Sequence, residues 1–291
     1  MTPSPGLHHA TAVATDERTT IAFYRGLLGL RLVKRTVAYV DSMCPHLYFG
    51  NDQARPGSIV TFFIRPPEAT GAPRCGGLIL AVAPGTLSRW AARLTEAGAP
   101  SVRTIEVLGE PALHALDPDG LSLELLERPH AGSHLRAALL GVRLDTADAP
   151  GLADLLRRRL GFDDRRPGAA RRRLAPTGDR PDPSLIDIAP CDRPPPRDPG
   201  AGSLHHAAFR AADSAHQSAL AAALTNDGLR PTEVFDRTYF RSAYFYEPGG
   251  VKLEIATDGP GFTVDEPAAE LGSRVCLPPH LESRRAEIES R

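Results

Sequence analysis

Apolar and polar positions along the chain alternate in short strand-like blocks, each followed by a block with helical spacing. Leu7-His8-His9-Ala10-Thr11-Ala12-Val13 reads as a strand. Asp16 then stands where an N-cap is expected, ahead of a helical face of Ile21, Phe23, Tyr24 and Leu27 or Leu28, with Gly29 as the stop. His46-Leu47-Tyr48-Phe49 and Ile59 to Phe63 return to strand character. A second unit opens on Leu78 to Val82, carries a helix near Leu87 to Glu96 stopped by Gly98, and closes through Asp117 to Leu125. The third opens on Leu139 to Leu144 and has a helix near Leu152 to Leu160 ended by Gly161; its closing strand, Ser184 to Ile188, is weakly marked. The fourth opens on Leu204 to Phe209, has a helix near Gln217 to Leu224, and closes through Glu247 to Ile255.

The closing turns align without gaps. Pro56-Gly57-Ser58-Ile59-Val60-Thr61-Phe62 lies over Pro118-Asp119-Gly120-Leu121-Ser122-Leu123-Glu124 and over Pro248-Gly249-Gly250-Val251-Lys252-Leu253-Glu254. A recurring unit of this kind has too little core to stand alone, so the units are expected to pair. The predicted class is α+β: four βαβββ modules paired into two curved-sheet barrels. In chain order, residues 1–130 hold modules 7–66 and 76–128, residues 134–260 hold modules 136–190 and 203–258, and 261–291 form a tail. Pro194-Pro195-Pro196, within Pro190 to Gly202, predicts a stiff linker. The basic clusters Arg157 to Arg159 and Arg171 to Arg173 are expected to be solvated faces.

Composition narrows the function classes. The chain has 291 residues, 42% hydrophobic and 24% charged, with a net charge of −1. That balance provides no field for nucleic acid or an anionic membrane. No apolar run approaches the ~20 residues of a membrane helix. The opening Met1-Thr2-Pro3-Ser4-Pro5-Gly6 lacks a signal core, so a cytoplasmic location is expected. Cys44, Cys75, Cys191 and Cys276 are too scattered for a disulfide framework or a zinc knuckle.

The chemistry concentrates in histidine. Of ten histidines, four form two pairs in one context, Leu7-His8-His9-Ala10 and Leu204-His205-His206-Ala207. A lone strand histidine is usually structural, but matched pairs opening two distant modules are a different signal. The third element is Glu254, between Leu253 and Ile255 on an apolar strand. A carboxylate there is costly to bury without a cation, the alternative being a solvent-facing position on an amphipathic strand. Two neutral imidazoles and one carboxylate make a facial triad suited to Fe(II), with Mn(II) compatible with the same ligands.

Beyond these positions, Phe23-Tyr24, Leu28-Gly29-Leu30, Val33-Lys34-Arg35-Thr36, His46 to Gly50, Asp236-Arg237-Thr238-Tyr239-Phe240, Ser242 to Phe245, Glu247 to Phe262 and Leu277-Pro278-Pro279 complete a pattern. It resembles the ring-cleaving, hydroquinone-type dioxygenase branch of the vicinal oxygen chelate (glyoxalase/bleomycin resistance/extradiol dioxygenase) superfamily. The likeness is strong in the first and fourth modules and weak in the third. The resemblance implies the vicinal oxygen chelate fold, and it implies that His9, His206 and Glu254 bind the metal. It also implies a catalytic Tyr244, acid/base work for His205 or His8, and Arg237 and Thr11 at the substrate. Alternation along a strand lets His8 and His205 reach the same pocket only at a strand end or bulge.

The expected activity is insertion of O2 into a dihydroxylated aromatic ring, hydroquinone- or catechol-like, in an extradiol-type cleavage. The absence of histidine between Leu135 and Leu204, where catechol-cleaving relatives keep an acid/base residue, favours hydroquinones. The expected partners are a small aromatic substrate and O2, without nucleic acid or membrane, and with homo-oligomerisation left open. Two rivals remain. A glyoxalase-type lyase or isomerase needs a fourth protein ligand, which the turn alignment places at Phe62, a residue without a donor. A metal-free ligand-sequestering protein of the same fold would have no use for paired histidines. Since the ligands come from the first and fourth modules, those two are expected to adjoin, leaving the second to pair with the third and Glu124 as a relic without partners.

Overall fold

The computed structural model describes residues 4–66, 75–129, 136–178 and 184–290. Each module is a βαβββ unit. The first comprises β1 (Leu7–Ala14), α1 (Glu17–Ile21) continuing as a π-helical turn (Ala22–Leu27), β2 (Arg31–Val37), β3 (Pro45–Gly50) and β4 (Ile59–Ile64). The second comprises β5 (Gly77–Val82), α2 (Leu87–Glu96), β6 (Arg103–Val107), β7 (Glu110–Leu116) and β8 (Ser122–Glu127). The third comprises β9 (Ala138–Thr146), α3 (Ala149–Leu160), β10 (Phe162–Asp164), β11 (Arg172–Pro176) and β12 (Leu185–Pro190). The fourth comprises β13 (Ser203–Ala211), α4 (Ser214–Asn226), β14 (Phe235–Asp236), β15 (Arg241–Tyr246) and β16 (Lys252–Thr257).

The helices start where their caps are. Asp16, Asp148 and Asp213 each accept a bond from a backbone N–H three residues on, at 2.7, 2.9 and 2.8 Å. These bonds satisfy donors that a helix N-terminus otherwise leaves open. Gly161 closes α3 at φ 71°, a left-handed conformation that residues with a Cβ avoid.

Two eight-stranded sheets result, ordered β14-β15-β16-β13-β1-β4-β3-β2 and β10-β11-β12-β9-β5-β8-β7-β6. The first and fourth modules join along an antiparallel β1–β13 seam, and the second and third along an antiparallel β5–β9 seam. Each sheet therefore takes one module from residues 1–130 and one from 134–260, so division by chain order is not division by sheet. The junction at 130–134 and the first three residues lie outside the described residues. Among the described residues no helix is long and apolar enough to cross a membrane.

Strand alternation sorts side chains onto two faces. Ala10, Ala12, Phe62, Phe209, Phe245, Leu253 and Ile255 enter a core shared with Leu78, Leu80, Trp90 and Leu123. The opposite face of the first sheet carries His9, Thr11, His46, Thr61, His206, Tyr244 and Glu254. Such segregation follows from the period of two along each strand. The tail covers part of that sheet: Cys276 N–H donates to Arg35 O at 2.8 Å, and the fully buried Lys34 ammonium pairs with Asp265 at 2.6 Å and with Glu266.

Two expectations about charge need correction. Arg171 to Arg173 are not a solvated face: Arg173 is buried, donating to Asp187 at 2.7 and 2.8 Å, and Arg172 pairs with Asp164. Glu124 does have partners. Arg171 meets it at 2.9 and 2.5 Å, and Arg143 at 3.4 Å. A buried carboxylate must be compensated, and these two guanidinium groups do so.

Candidate metal centre

The site forms on the β1–β13 seam, where each strand carries one residue too many. Leu7 faces Phe209 and His9 faces Ala208, so His8 is the extra residue of β1. Thr11 faces His206 and Ala12 faces Leu204, so His205 is the extra residue of β13. These paired bulges relax the strict up–down alternation and bring both rings of each histidine pair together. His8 Nδ1 lies 2.8 Å from His9 Nδ1, and His205 Nδ1 lies 2.6 Å from His206 Nδ1. One nitrogen of His9 and of His206 is thereby engaged from behind, leaving the Nε2 atoms to face forward.

Those Nε2 atoms are 3.4 Å apart. Glu254, on the neighbouring β16, places Oε2 3.4 Å from His9 Nε2 and 2.9 Å from His206 Nε2. Its other oxygen accepts from Ser242 Oγ at 2.5 Å. All three groups are buried, Glu254 completely. Although close to His206, Oε2 has no aligned hydrogen-bond donor. A buried carboxylate oxygen left in that condition is costly unless a cation sits before it. The separations match what two bonds of about 2.1 Å converging on one ion would span. The donor set therefore fits a divalent cation, and among the described residues it is one of two His/Cys/Asp/Glu clusters able to hold one. The other, Asp265, Glu266 and Cys276, already surrounds the Lys34 ammonium.

Protonation states agree with this. Burial lowers His206 to about 4, with Glu254 opposing, so its ring is neutral near pH 7 and keeps a lone pair for a cation. Burial alone would raise Glu254, but His9 and His206 together hold it well below the usual carboxylate range. His8 falls to about 3 through burial and the neighbouring His9.

A cavity of about 50 Å³ opens in front of the triad, lined by His9, Thr11, His46, Phe63, His206, Arg237, Phe240 and Tyr244 among others. Tyr244 stands opposite Glu254 in the β15–β16 ladder and receives a long bond from Arg237 Nε at 3.4 Å. Burial, then the charge of Glu254, raises its phenol far above the ordinary value, so it is a proton donor and not a phenolate. Thr11 accepts from Thr61 Oγ1 at 2.9 Å. His205 borders a larger outer chamber that shares the Phe63, His206, Arg237 and Tyr244 wall. His8 is not among the residues lining the inner cavity; it stands behind His9, with Nε2 3.2 Å from Thr257 O.

Sequence reasoning misses His46, although the motif around it is visible. It lies 2.9 Å from Thr61 Oγ1 and 3.1 Å from the Tyr48 hydroxyl, and burial holds it well below its ordinary value. The available signal is the two-residue spacing to Tyr48, which puts both on the cavity face. Ser242 has the same relation to Tyr244 on β15 and is missed in the same way.

The fourth-ligand position also needs correction. The β1–β4 ladder pairs Thr11 with Thr61 as the β13–β16 ladder pairs Ala208 with Glu254. Since His9 and His206 each precede those pairs by two residues, the counterpart of Glu254 is Thr61. Phe62 points into the core against Tyr24. The first closing turn is one residue shorter than the fourth: Val60, the partner of Ala10, follows Pro56 by four residues, whereas Leu253, the partner of Ala207, follows Pro248 by five. Thr61 Oγ1 is committed to Thr11 and His46, so the site still offers three protein donors.

Comparison with known proteins places this geometry. The model of the Glyoxalase/Bleomycin resistance protein/Dioxygenase superfamily matches residues 6–125. A Bacillus subtilis (strain 168) protein carrying the name ring-cleaving dioxygenase MhqO is 34% identical across 98% of this chain and 94% of its own length. The chain belongs to this superfamily, in its ring-cleaving dioxygenase branch. A chlorohydroquinone/hydroquinone 1,2-dioxygenase of Sphingobium indicum is 34% identical over 97% of this chain and 94% of the relative. A crystal structure described as a dioxygenase from Bacillus subtilis subsp. subtilis str. 168 superposes with a TM-score of 0.89 at 33% identity, covering 100% of this chain and 97% of that one. The vicinal oxygen chelate architecture expected from the four modules is thus the fold of the family, and relatives named as ring-cleaving dioxygenases support an enzyme.

Proposed function

We propose that the protein is an Fe(II)-dependent dioxygenase that inserts O2 into a dihydroxylated aromatic ring, hydroquinone-like before catechol-like, with His9, His206 and Glu254 as metal ligands. The observation that carries this reading is the convergence of two imidazole nitrogens and an otherwise unsatisfied carboxylate oxygen on one buried point. A three-ligand set leaves coordination positions for both substrates, and the metal would supply the redox coupling between ring and dioxygen. Mn(II) would suit the same donors.

The remaining roles belong to the chain. Arg237 offsets the charge of a deprotonated ring hydroxyl, its guanidinium being held over Tyr39, Phe235 and Tyr244 at 4.9–5.4 Å. Tyr244 holds its proton on the phenol oxygen and presents it to the developing oxyanion at the ring. Phe63, Phe240 and Tyr39 supply apolar walls that orient an aromatic plane and keep water out. His205, which reaches the outer chamber, is the histidine placed to exchange a proton with substrate. His8 fixes the ring orientation and tautomer of His9 by accepting its Nδ1–H and passing its own Nε2–H to Thr257 O.

Anaerobic reconstitution with Fe(II), followed by oxygen uptake against a panel of hydroquinones and catechols, tests the proposal. Uptake with ring-opened product is expected, greatest with hydroquinones. No uptake with any member, or activity on a thiol adduct with zinc or nickel and no oxygen consumed, would overturn it.

A further inference from the structure

The inner cavity, at about 50 Å³, is too small for a whole ring. A cavity that admits benzene is about 150 Å³. Only the metal-facing edge of an aromatic substrate fits beside the triad, so the rest must project outward. Outward lies a second chamber of about 850 Å³ that shares the His206, Phe63, Arg237, Tyr244, Tyr39 and Val40 wall. That volume far exceeds what an unsubstituted dihydroxybenzene requires, which makes the chamber's chemistry informative about the rest of the substrate.

Its lining is unbalanced in charge. Arg65, Arg197, Arg230, Arg237 and Lys252 face it, against Asp198 and Asp236. Asp198 is taken by Arg65 at 2.5 Å, and Asp236 accepts from Thr238 N–H at 2.7 Å. Lys252 occupies the cavity face of β16, two residues before Glu254, hence about one strand repeat of 6.6 Å outward from the triad. Its ammonium rests over the Tyr244 and Tyr246 rings at 5.2 and 6.0 Å, and no ion pair with a carboxylate holds it among the described residues. Arg197 lies over the far side of this wall, 4.6 Å from the Tyr246 ring centre. Low-dielectric aromatic walls around cations of one sign strengthen their attraction for an anion. The whole chain carries a net charge of −1, so this excess of positive charge is local to the chamber and not a property of the surface at large.

Resting on the dioxygenase reading of the same site, we infer that the outer chamber is a subsite for an anionic substituent, and that the substrate is a dihydroxylated aromatic ring bearing a carboxylate-type group on the side away from the metal. Lys252 is the principal contact, with Arg230 at the rim. Arg237, which serves the ring hydroxyl, is not needed for the discrimination.

The test separates charge from shape by using two redox-inert phenols of nearly equal size, 4-hydroxyphenylacetate and its neutral amide. Their affinities for the full-length protein are measured by calorimetry at low and at physiological salt. The acid is expected to bind about tenfold or more tightly than the amide at low salt, with the ratio shrinking as salt screens the contact. Lys252→Met should bring the ratio to within about twofold of unity, and Arg230→Gln, an exposed change that leaves packing alone, should reduce it by a smaller factor. Equal or weaker binding of the acid, no binding of either probe, or a ratio untouched by both substitutions overturns the inference. Because binding is read without turnover, oxygen uptake remains an independent measurement. An acid preference without uptake on any ring leaves the subsite standing and removes the dioxygenase reading, whereas uptake with no acid preference does the reverse.

Discussion

The two sheets share one construction and can be compared at four matched positions. In the first sheet the ladders pair Thr11 with Thr61 and Ala208 with Glu254; in the second they pair Ile79 with Glu124 and Arg143 with Asp187. Two residues before the first member of each pair stand His9 and His206 in one sheet, Gly77 and Gly141 in the other. The glycines are not neutral absences. A Cβ at Gly141 would lie 1.9 Å from Leu185 O, and one at Gly77 would lie 2.8 Å from Ser122 O, so no imidazole can occupy either place without moving backbone. Both acid positions in the second sheet keep carboxylates, and the Arg171 guanidinium bonds to Glu124 and Asp187 together. A guanidinium thus stands in the second sheet at the point where the first sheet gathers its three donors. Buried carboxylates at this point of the fold need positive charge in either case, and the neighbouring donors decide whether a metal or an arginine provides it.

The largest effect expected on this contrast comes from removing a donor in the first sheet. His206→Ala should reduce oxygen uptake to the blank and leave little iron by elemental analysis, since outer-shell changes alone cost about 10–100-fold in such sites. Normal turnover by this variant would erase the distinction between the sheets.

Next comes Arg171→Ala, which leaves Glu124 and Asp187 facing each other in the second sheet. Loss of one partner of a buried pair typically costs about 3–5 kcal/mol, and Arg143 and Arg173 remain to soften it, so about 3 kcal/mol is expected by denaturant titration. Iron binding should persist. A change under about 0.5 kcal/mol would show that the arginine does not compensate buried charge.

A smaller effect sharpens the role of the bulge. His8→Leu removes the acceptor behind His9 and should weaken iron binding about 10–100-fold with the fold intact, read by competition with a chelator. Unaltered affinity would show that the paired bulges do not orient the ligand.

The mildest contrast is in pH. His8 at about 3, His206 at about 4 and the depressed His46 all lie in the first sheet. Below their unfolded value near 6.5 the unfolded chain binds protons that the folded sheet refuses, so stability present above that pH is lost as it falls toward about 4. Hydrogen exchange on metal-free protein should show β1 and β13 losing protection on acidification before β5 and β9. The opposite order would contradict the histidine assignment.

Local pattern determines a good deal of this. Module boundaries, the Asp16 cap and the glycine stops are readable because capping and left-handed turns depend on one or two neighbouring residues. The histidine pairs and Glu254 are conspicuous because such side chains are out of place on apolar strands. What local pattern does not supply is register. Counting from the turns makes Phe62 the counterpart of Glu254, and only the strand ladders, with a first turn one residue shorter than the fourth, move that position to Thr61. It also leaves Arg171 and Arg173 looking solvated, since the carboxylates that claim them, Glu124 and Asp187, are 47 and 16 residues from Arg171. His46 and Ser242 acquire meaning only from strands that reach them across the sheet.

By itself, then, the order of residues settled which elements form and which side chains carry donors, because propensity and capping act over a few positions. The tertiary structure alone decided the bulged register of the module seam, which histidine nitrogens face forward, and how closely the second sheet's backbones approach where an imidazole would stand, because those depend on long-range ladders and on ångström-scale clearances between backbones.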